Sequence, residues 1–144
     1  MKTYEVSKSK YFKVINDLHY EIFQQKRKAD FFIDIFRPKR IYYIIEINNE
    51  IAGYYAIFKH RKYNYVAVLG LKVQFQHRGF GKIILQSIIN NNKKTNLTLH
   101  VDTQNANALL LYEEFGFKIK KELKRFYKNK HNAYYMTKLK DTYI

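Results

Sequence analysis

The chain contains no cysteine, which excludes disulfides, thiolate metal sites and a cysteine nucleophile. It has one proline, Pro38, and five glycines, too few for a flexible linker or a low-complexity tract. No long apolar run is present: IYYII at 41–45 is far short of the ~20 residues needed to cross a bilayer. The opening MKTYEVSKSK lacks the apolar stretch of a secretory signal. Carboxylates are also scarce, with 12 acidic against 27 basic residues and a net charge of +15. What remains is globular in composition, 47% hydrophobic and 27% charged over 144 residues. These features predict a single domain spanning 1–144, soluble and cytoplasmic, with no membrane partner.

The excess positive charge is enough to attract nucleic acid, anionic lipid or an acidic ligand. Yet 21 of the 27 basic residues are lysine and only six arginine, the better residue for bidentate phosphate recognition. A solvated lysine surface and a nucleic-acid partner are both compatible with that composition.

Apolar periodicity sets the layout. Residues 3–6 form a short first strand. Phe12, Val14, Ile15, Leu18, Ile22 and Phe23, then Phe31, Phe32 and Ile35, recur at helical spacing. They predict two helices, ended before Arg37-Pro38. IYYIIEI (41–47) and IAGYYAIF (51–58), separated by Asn48-Asn49-Glu50, read as a hairpin. A strand over Tyr65–Val73, a helix over Gly79–Asn91, a strand at 97–101 and a helix over Asn105–Phe115 follow. Two strands, Phe117–Tyr127 and Ala133–Leu139, close the chain. Seven basic residues between Lys118 and Lys130 mark the former as a sheet edge or exposed hairpin. Helices interspersed with a mixed sheet make an α/β (α+β layered) domain.

The segment YVAVLGLKVQFQHRGFGKIILQSII (65–89) carries the strongest chemical signal. A buried strand leads through Gln76-His77-Arg78-Gly79-Phe80-Gly81 into a helix. Glycine there lets backbone approach a ligand. Successive N–H groups and the helix start then form a concave anion site. Lys72, Arg78 and Lys82 add positive charge, so the turn suits a pyrophosphate. It is neither the Rossmann fingerprint, where Ile84 stands in place of the third glycine, nor a Walker loop.

Gln76–Gly81 resembles the Q/R-x-x-G-x-G/A acetyl-CoA loop of the GNAT acetyltransferases. Asn105, Ala108, Leu111-Tyr112 and Gly116-Phe117 resemble the family's N-x-x-A-x-x-L-Y-x-x-x-G-F segment. The resemblance implies the GNAT acyl-CoA N-acyltransferase fold, with about six or seven strands and about four helices. It implies acetyl-CoA as acetyl donor and no metal. Leu71 and Val73 would hold the pantetheine arm through their backbone. The amides of Gln76, His77, Arg78, Gly79, Phe80, Gly81 and Lys82 would hold the pyrophosphate. Asn105 would contact the cofactor, and Tyr112 would protonate the departing thiolate.

The run Tyr65-Val-Ala-Val-Leu-Gly70, His100 five residues before Asn105, and the tail FYKNKHNAYYMTK (126–138) resemble the N-terminal α-amine acetyltransferases, and the tail also resembles the bacterial ribosomal-protein acetylases. This narrower likeness implies that Tyr65 and His100 order a water that accepts the amine proton. Phe126-Tyr127 would cover the substrate N-terminus, and Phe23 and Ala67 would shape the first-residue pocket. An α-amine, with a pKa of roughly 8 against roughly 10.4 for lysine, needs only a weak base. His100 shares a strand face with Thr98 and Asp102, opposite Leu97, Leu99 and Val101. Two departures stand out. Phe23-Gln24-Gln25-Lys26-Arg27 replaces a Phe-Pro-Val-x-Tyr stretch, so first-residue preference does not carry over, and Phe126 replaces a tyrosine.

The expected partner is therefore a peptide or protein N-terminus, with the ribosome or tRNA a candidate through the basic surface. An aminoacyl-tRNA or small-amine acceptor, and a non-catalytic CoA-binding module, remain open alternatives. Oligomeric state is not legible in the sequence.

Overall fold

The computed structural model describes residues 1–6, 12–24 and 39–141. Its strands are β1 (Lys2–Glu5), β2 (Arg40–Ile47), β3 (Glu50–Lys59), β4 (Tyr63–Leu71), β5 (Asn96–Asp102), β6 (Lys118–Leu123) and β7 (Ala133–Lys138). Its α-helices are α1 (Phe12–Phe23), α2 (Phe80–Asn90) and α3 (Ala106–Glu114). The strands make one mixed sheet in the order β1-β2-β3-β4-β5-β7-β6, the α/β fold expected from the sequence. The helix expected around Phe31–Ile35 lies outside the described residues, so the helices seen are three rather than about four. No described helix is long and apolar enough to cross a membrane.

The chain divides into two compact units, residues 1–59 with 66–81 and residues 60–65 with 82–144. In the first, Ile15 and Leu18 of α1 pack with Val6, with Tyr42 and Ile44 of β2 and with Tyr54 and Ala56 of β3. Each such apolar side chain contributes roughly 1.5–3 kcal/mol by leaving water. The β2–β3 hairpin closes tightly. Asn48 and Asn49 both take positive φ (52° and 63°), so they alone form the two-residue turn, and Glu50 already belongs to β3.

In the second unit, β4 runs parallel to β5 from Tyr63↔Asn96 to Tyr65↔Thr98. β5 then pairs antiparallel with β7, and β7 with the edge strand β6. Leu97, Leu99 and Val101 are buried, as is Met136 opposite Leu99. The strand expected over Phe117–Tyr127 stops at Leu123. Past it, Arg125 and Lys130 adopt positive φ (53° and 72°), which ends the ladder and sends Phe126 and Tyr127 into the hairpin loop.

Candidate active site

The phosphate-suited turn lies in the first unit. β4 ends at Leu71, two residues earlier than expected, because Val73–Phe75 coil into a 3-10 turn. The Lys72 N–H donates to the Ala52 carbonyl (2.8 Å), keeping the last β4 residues against β3. Gln76 ties the turn back onto the strand, its Nε2 donating to the Leu71 carbonyl at 2.8 Å and its backbone N–H to the Val73 carbonyl at 3.1 Å. His77 and Gly79 both have positive φ (58° and 84°), and a Cβ on Gly79 would meet nothing within 4 Å. The Cβ side of Gly79 thus faces open space among the described residues. The backbone continues into α2, whose first N–H groups have no intrahelical acceptor. Arg78 is held beside it, Nη1 donating to the Gln74 carbonyl (3.1 Å) and the guanidinium over the Phe80 ring (5.4 Å). Open backbone donors, a helix start and a tethered cation together fit a pyrophosphate. Lys82 directs its ammonium to Glu114 (3.4 Å), leaving its backbone for the turn.

A second cluster is built on the parallel pair in the other unit. The Tyr65 hydroxyl lies 2.6 Å from Nδ1 of His100. Three rings enclose the imidazole: Phe126 stacked at 4.4 Å and 18°, Tyr135 at 5.1 Å and Tyr65 edge-on at 5.4 Å. Burial pushes the Tyr65 phenol up to about 12, so it stays protonated and can donate to Nδ1. Burial, then the ammonium of Lys121, lower the His100 pKa and favour neutral imidazole. A protonated phenol hydrogen-bonded to a neutral imidazole can pass a proton between the two groups.

The hairpin loop that carries Phe126 is anchored on β5. The Phe126 and Tyr127 N–H groups both donate to the His131 carbonyl (3.0 and 3.2 Å), and His131 Nδ1 lies 2.7 Å from Oδ2 of Asp102. The other Asp102 oxygen accepts from the Gln104 N–H at 2.9 Å. The Tyr127 phenol is pushed up to about 12 by burial, with Tyr65, Asp102 and Tyr112 adding to the effect.

Tyr112 sits on α3 with its ring edge-on to Phe117 (5.7 Å), and burial raises its phenol. The Asn105 side-chain oxygen caps α3 by accepting from the Ala108 N–H (3.2 Å), and among the described residues its amide nitrogen has no hydrogen-bond partner. In the first unit, Phe23 ends α1 and packs against Gly70, its ring 2.7 Å from where a Cβ would stand. Ala67 is partly buried beside the α1 core. Gln24 is exposed, and residues 25–27 of the same stretch lie outside the described residues.

Tyr65, His100, Phe126 and Tyr127 therefore meet in one cluster. Sequence reasoning missed Tyr135, Lys121 and His131, which complete it together with Asp102. Alternation put Asp102 on the His100 face, but pairing of β5 with β7 and of β7 with β6 is a long-range fact. Among the described residues no group of three or more His, Asp or Glu side chains could hold a metal.

Comparison with known proteins gives a family and a fold. A family model described as the acetyltransferase (GNAT) family matches residues 4–117. No curated protein matches the chain by sequence. The ribosomal-protein-S18-alanine N-acetyltransferase of Escherichia coli is similar in structure, with a TM-score of 0.84 at 15% identity, covering 99% of this chain and 97% of that one. Arabidopsis thaliana Naa50 in complex with a bisubstrate analogue gives 0.76 at 20%, covering 96% and 99%. A GNAT family acetyltransferase from Elizabethkingia anophelis with acetyl-CoA bound gives 0.70 at 22%, covering 85% and 88%. At these identities the likeness is one of fold.

Proposed function

The chain belongs to the GNAT acetyltransferase family, and we propose that it transfers the acetyl group of acetyl-CoA to the α-amine of a peptide or protein N-terminus in the cytoplasm, as one catalytic domain. The observation that carries this reading is the Tyr65–His100 hydrogen bond of 2.6 Å inside an aromatic enclosure. It is a weak base suited to an amine of pKa roughly 8. Similar structures include a ribosomal-protein-S18-alanine N-acetyltransferase and Naa50 in complex with the bisubstrate analogue CoA-Ac-MVNAL, which supports a protein or peptide acceptor.

The turn from Gln76 to Lys82 would hold the pyrophosphate through backbone N–H groups, with Arg78 compensating charge. Leu71 and Val73 would hold the pantetheine arm, and Asn105 would contact the donor through its free amide. Acetyl-CoA supplies the activated acyl group. The acceptor amine loses a proton through water to the Tyr65 oxygen as Tyr65 passes its own proton to His100 Nδ1. The freed amine forms the C–N bond directly, the C–S bond breaks, and the Tyr112 phenol gives its proton to the departing thiolate. Phe126 and Tyr127 would cover the acceptor N-terminus, and Phe23 and Ala67 would contact its first side chain. No carboxylate lies on β4, so the relay has no Asp or Glu competitor there.

The test is a mass-spectrometric assay with acetyl-CoA and lysine-containing peptides, half with free and half with blocked N-termini. Acetylation confined to free N-termini is expected. Labelling of blocked peptides would make the enzyme a lysine acetyltransferase instead. Acetyl-CoA binding without transfer to either set would reject peptide acceptors.

A further inference from the structure

The face of the second unit that carries His100 can be followed strand by strand. His100 pairs with Tyr135 on β7, and Tyr135 with Lys121 on β6, so the three side chains form one row across the sheet. The adjacent row is Thr98, Thr137 and Lys118. The row on the other side is Asp102, Ala133 and Leu123. Two lysines therefore stand on this face at the sheet edge. Asp102, the single carboxylate in these rows, is engaged by His131 and by the Gln104 N–H. Glu122 pairs with Tyr134 on the opposite face and accepts from the Asn132 amide at 2.7 Å. Among the described residues neither Lys118 nor Lys121 has an acidic partner, and the Lys121 ammonium rests 5.7 Å from the Tyr135 ring centroid.

We infer that this face selects acceptors carrying a carboxylate at the second or third residue, read by Lys121 with Lys118 beside it. The inference rests on the α-amine reading given above. Neighbouring strands lie ~4.8 Å apart, so Lys121 stands about 10 Å from His100 across two strands. An extended peptide advances about 3.3–3.6 Å per residue. With its amine at His100 and its chain crossing toward β6, its second and third side chains come within reach of the Lys121 ammonium. The effect of Lys121 on His100 protonation is a sign that its charge is felt at the reacting end of the row. Lysine, a compact point charge, suits a lone carboxylate, whereas the paired forks that grip phosphodiesters are arginines, absent from these rows.

The experiment compares three free N-terminal peptides that differ only at residues 2 and 3: Ala-Ala, Glu-Glu and Lys-Lys. The readout is the ratio of kcat/KM for the Glu-Glu over the Lys-Lys peptide at low salt. A ratio cancels any change in His100 basicity. Wild type is expected to favour Glu-Glu at least tenfold. K121E should bring the ratio to unity or below, and K118E should lower it partway. K94E, with the same change in net charge but placed in the exposed turn after α2, should leave it unchanged. Acetylation of all three at equal rates would overturn the inference while the α-amine reading stands. Acetylation of none would remove the reading itself. An RNA oligonucleotide that inhibits wild type but not K121E, with peptide rates equal, would assign the face to nucleic acid and overturn the inference.

Discussion

Nδ1 of His131 lies 2.7 Å from Oδ2 of Asp102, tying the loop that carries Phe126 and Tyr127 to the end of β5. Burial alone would raise the Asp102 pKa. The Gln104 N–H and His131 overcome this and hold the carboxyl below its ordinary 3.8. A lowered carboxylate pKa contributes stability above that ordinary value and loses it as pH falls through the lowered one. Solvent reaches both side chains, so the pair is worth at most about 1 kcal/mol. The expected larger effect of Asp102→Asn or His131→Ala is on acceptor recognition. Steady-state kinetics should show a several-fold rise in peptide KM with acetyl-CoA KM unchanged. Equal changes in both constants would make the pair a general stability element only.

His100 is lowered from its ordinary 6.5, first by burial and then by the charge of Lys121. Protonation removes the base, so a lowered pKa extends activity toward acid. The acid limb of kcat/KM is expected below pH 6.5, and Lys121→Gln should move it upward by removing the second cause. A pH–rate profile of the two enzymes on the Ala-Ala peptide checks this, and coincident limbs would contradict it.

Two glycines should respond oppositely to alanine. A Cβ on Gly53 would stand 2.0 Å from the Gly70 carbonyl oxygen, backbone that cannot yield without parting β3 from β4. Gly53→Ala is expected to cost several kcal/mol, at roughly 2–4 °C of Tm each, and to give little folded protein. At Gly79 the space is open but φ is +84°, so alanine costs roughly 1–2 kcal/mol locally. Thermal melts should place Gly79→Ala only about 2–8 °C below wild type, whereas acetyl-CoA KM should rise at least fivefold. An unchanged KM would remove the turn from donor binding.

These glycines also mark how far the sequence could be read. Gly79 was legible because a glycine-rich strand-to-helix turn has a local physical meaning. Gly53 was not, since its need for a bare Cα comes from the Gly70 carbonyl on the neighbouring strand. Tyr65 and His100 were reached through the family resemblance, whereas Tyr135 and Lys121 depend on strand register and His131 on how the hairpin loop folds against β5. The β6 boundary was overrun because its lysines and aromatics continue the strand's composition past Leu123. The positive φ at Arg125 and Lys130 ends it.

Tyr112 is a narrower claim. Burial raises its phenol, so it holds a proton at neutral pH and can deliver it. Tyr112→Phe keeps the ring against Phe117 and removes only the hydroxyl. The expected result is unchanged acetyl-CoA binding by calorimetry and a drop in kcat of roughly ten- to a hundredfold. A kcat equal to wild type would leave Tyr112 as a packing residue.

The most direct test of the proton relay is a double-mutant cycle on Tyr65 and His100. It reads kcat for peptide acetylation, with acetyl-CoA binding as the control for folding. Groups that pass one proton act as a unit, so Tyr65→Phe, His100→Ala and the double variant should each lose a similar factor, roughly 10² or more. Losses that multiply in the double variant, or single variants with wild-type kcat, would contradict the relay.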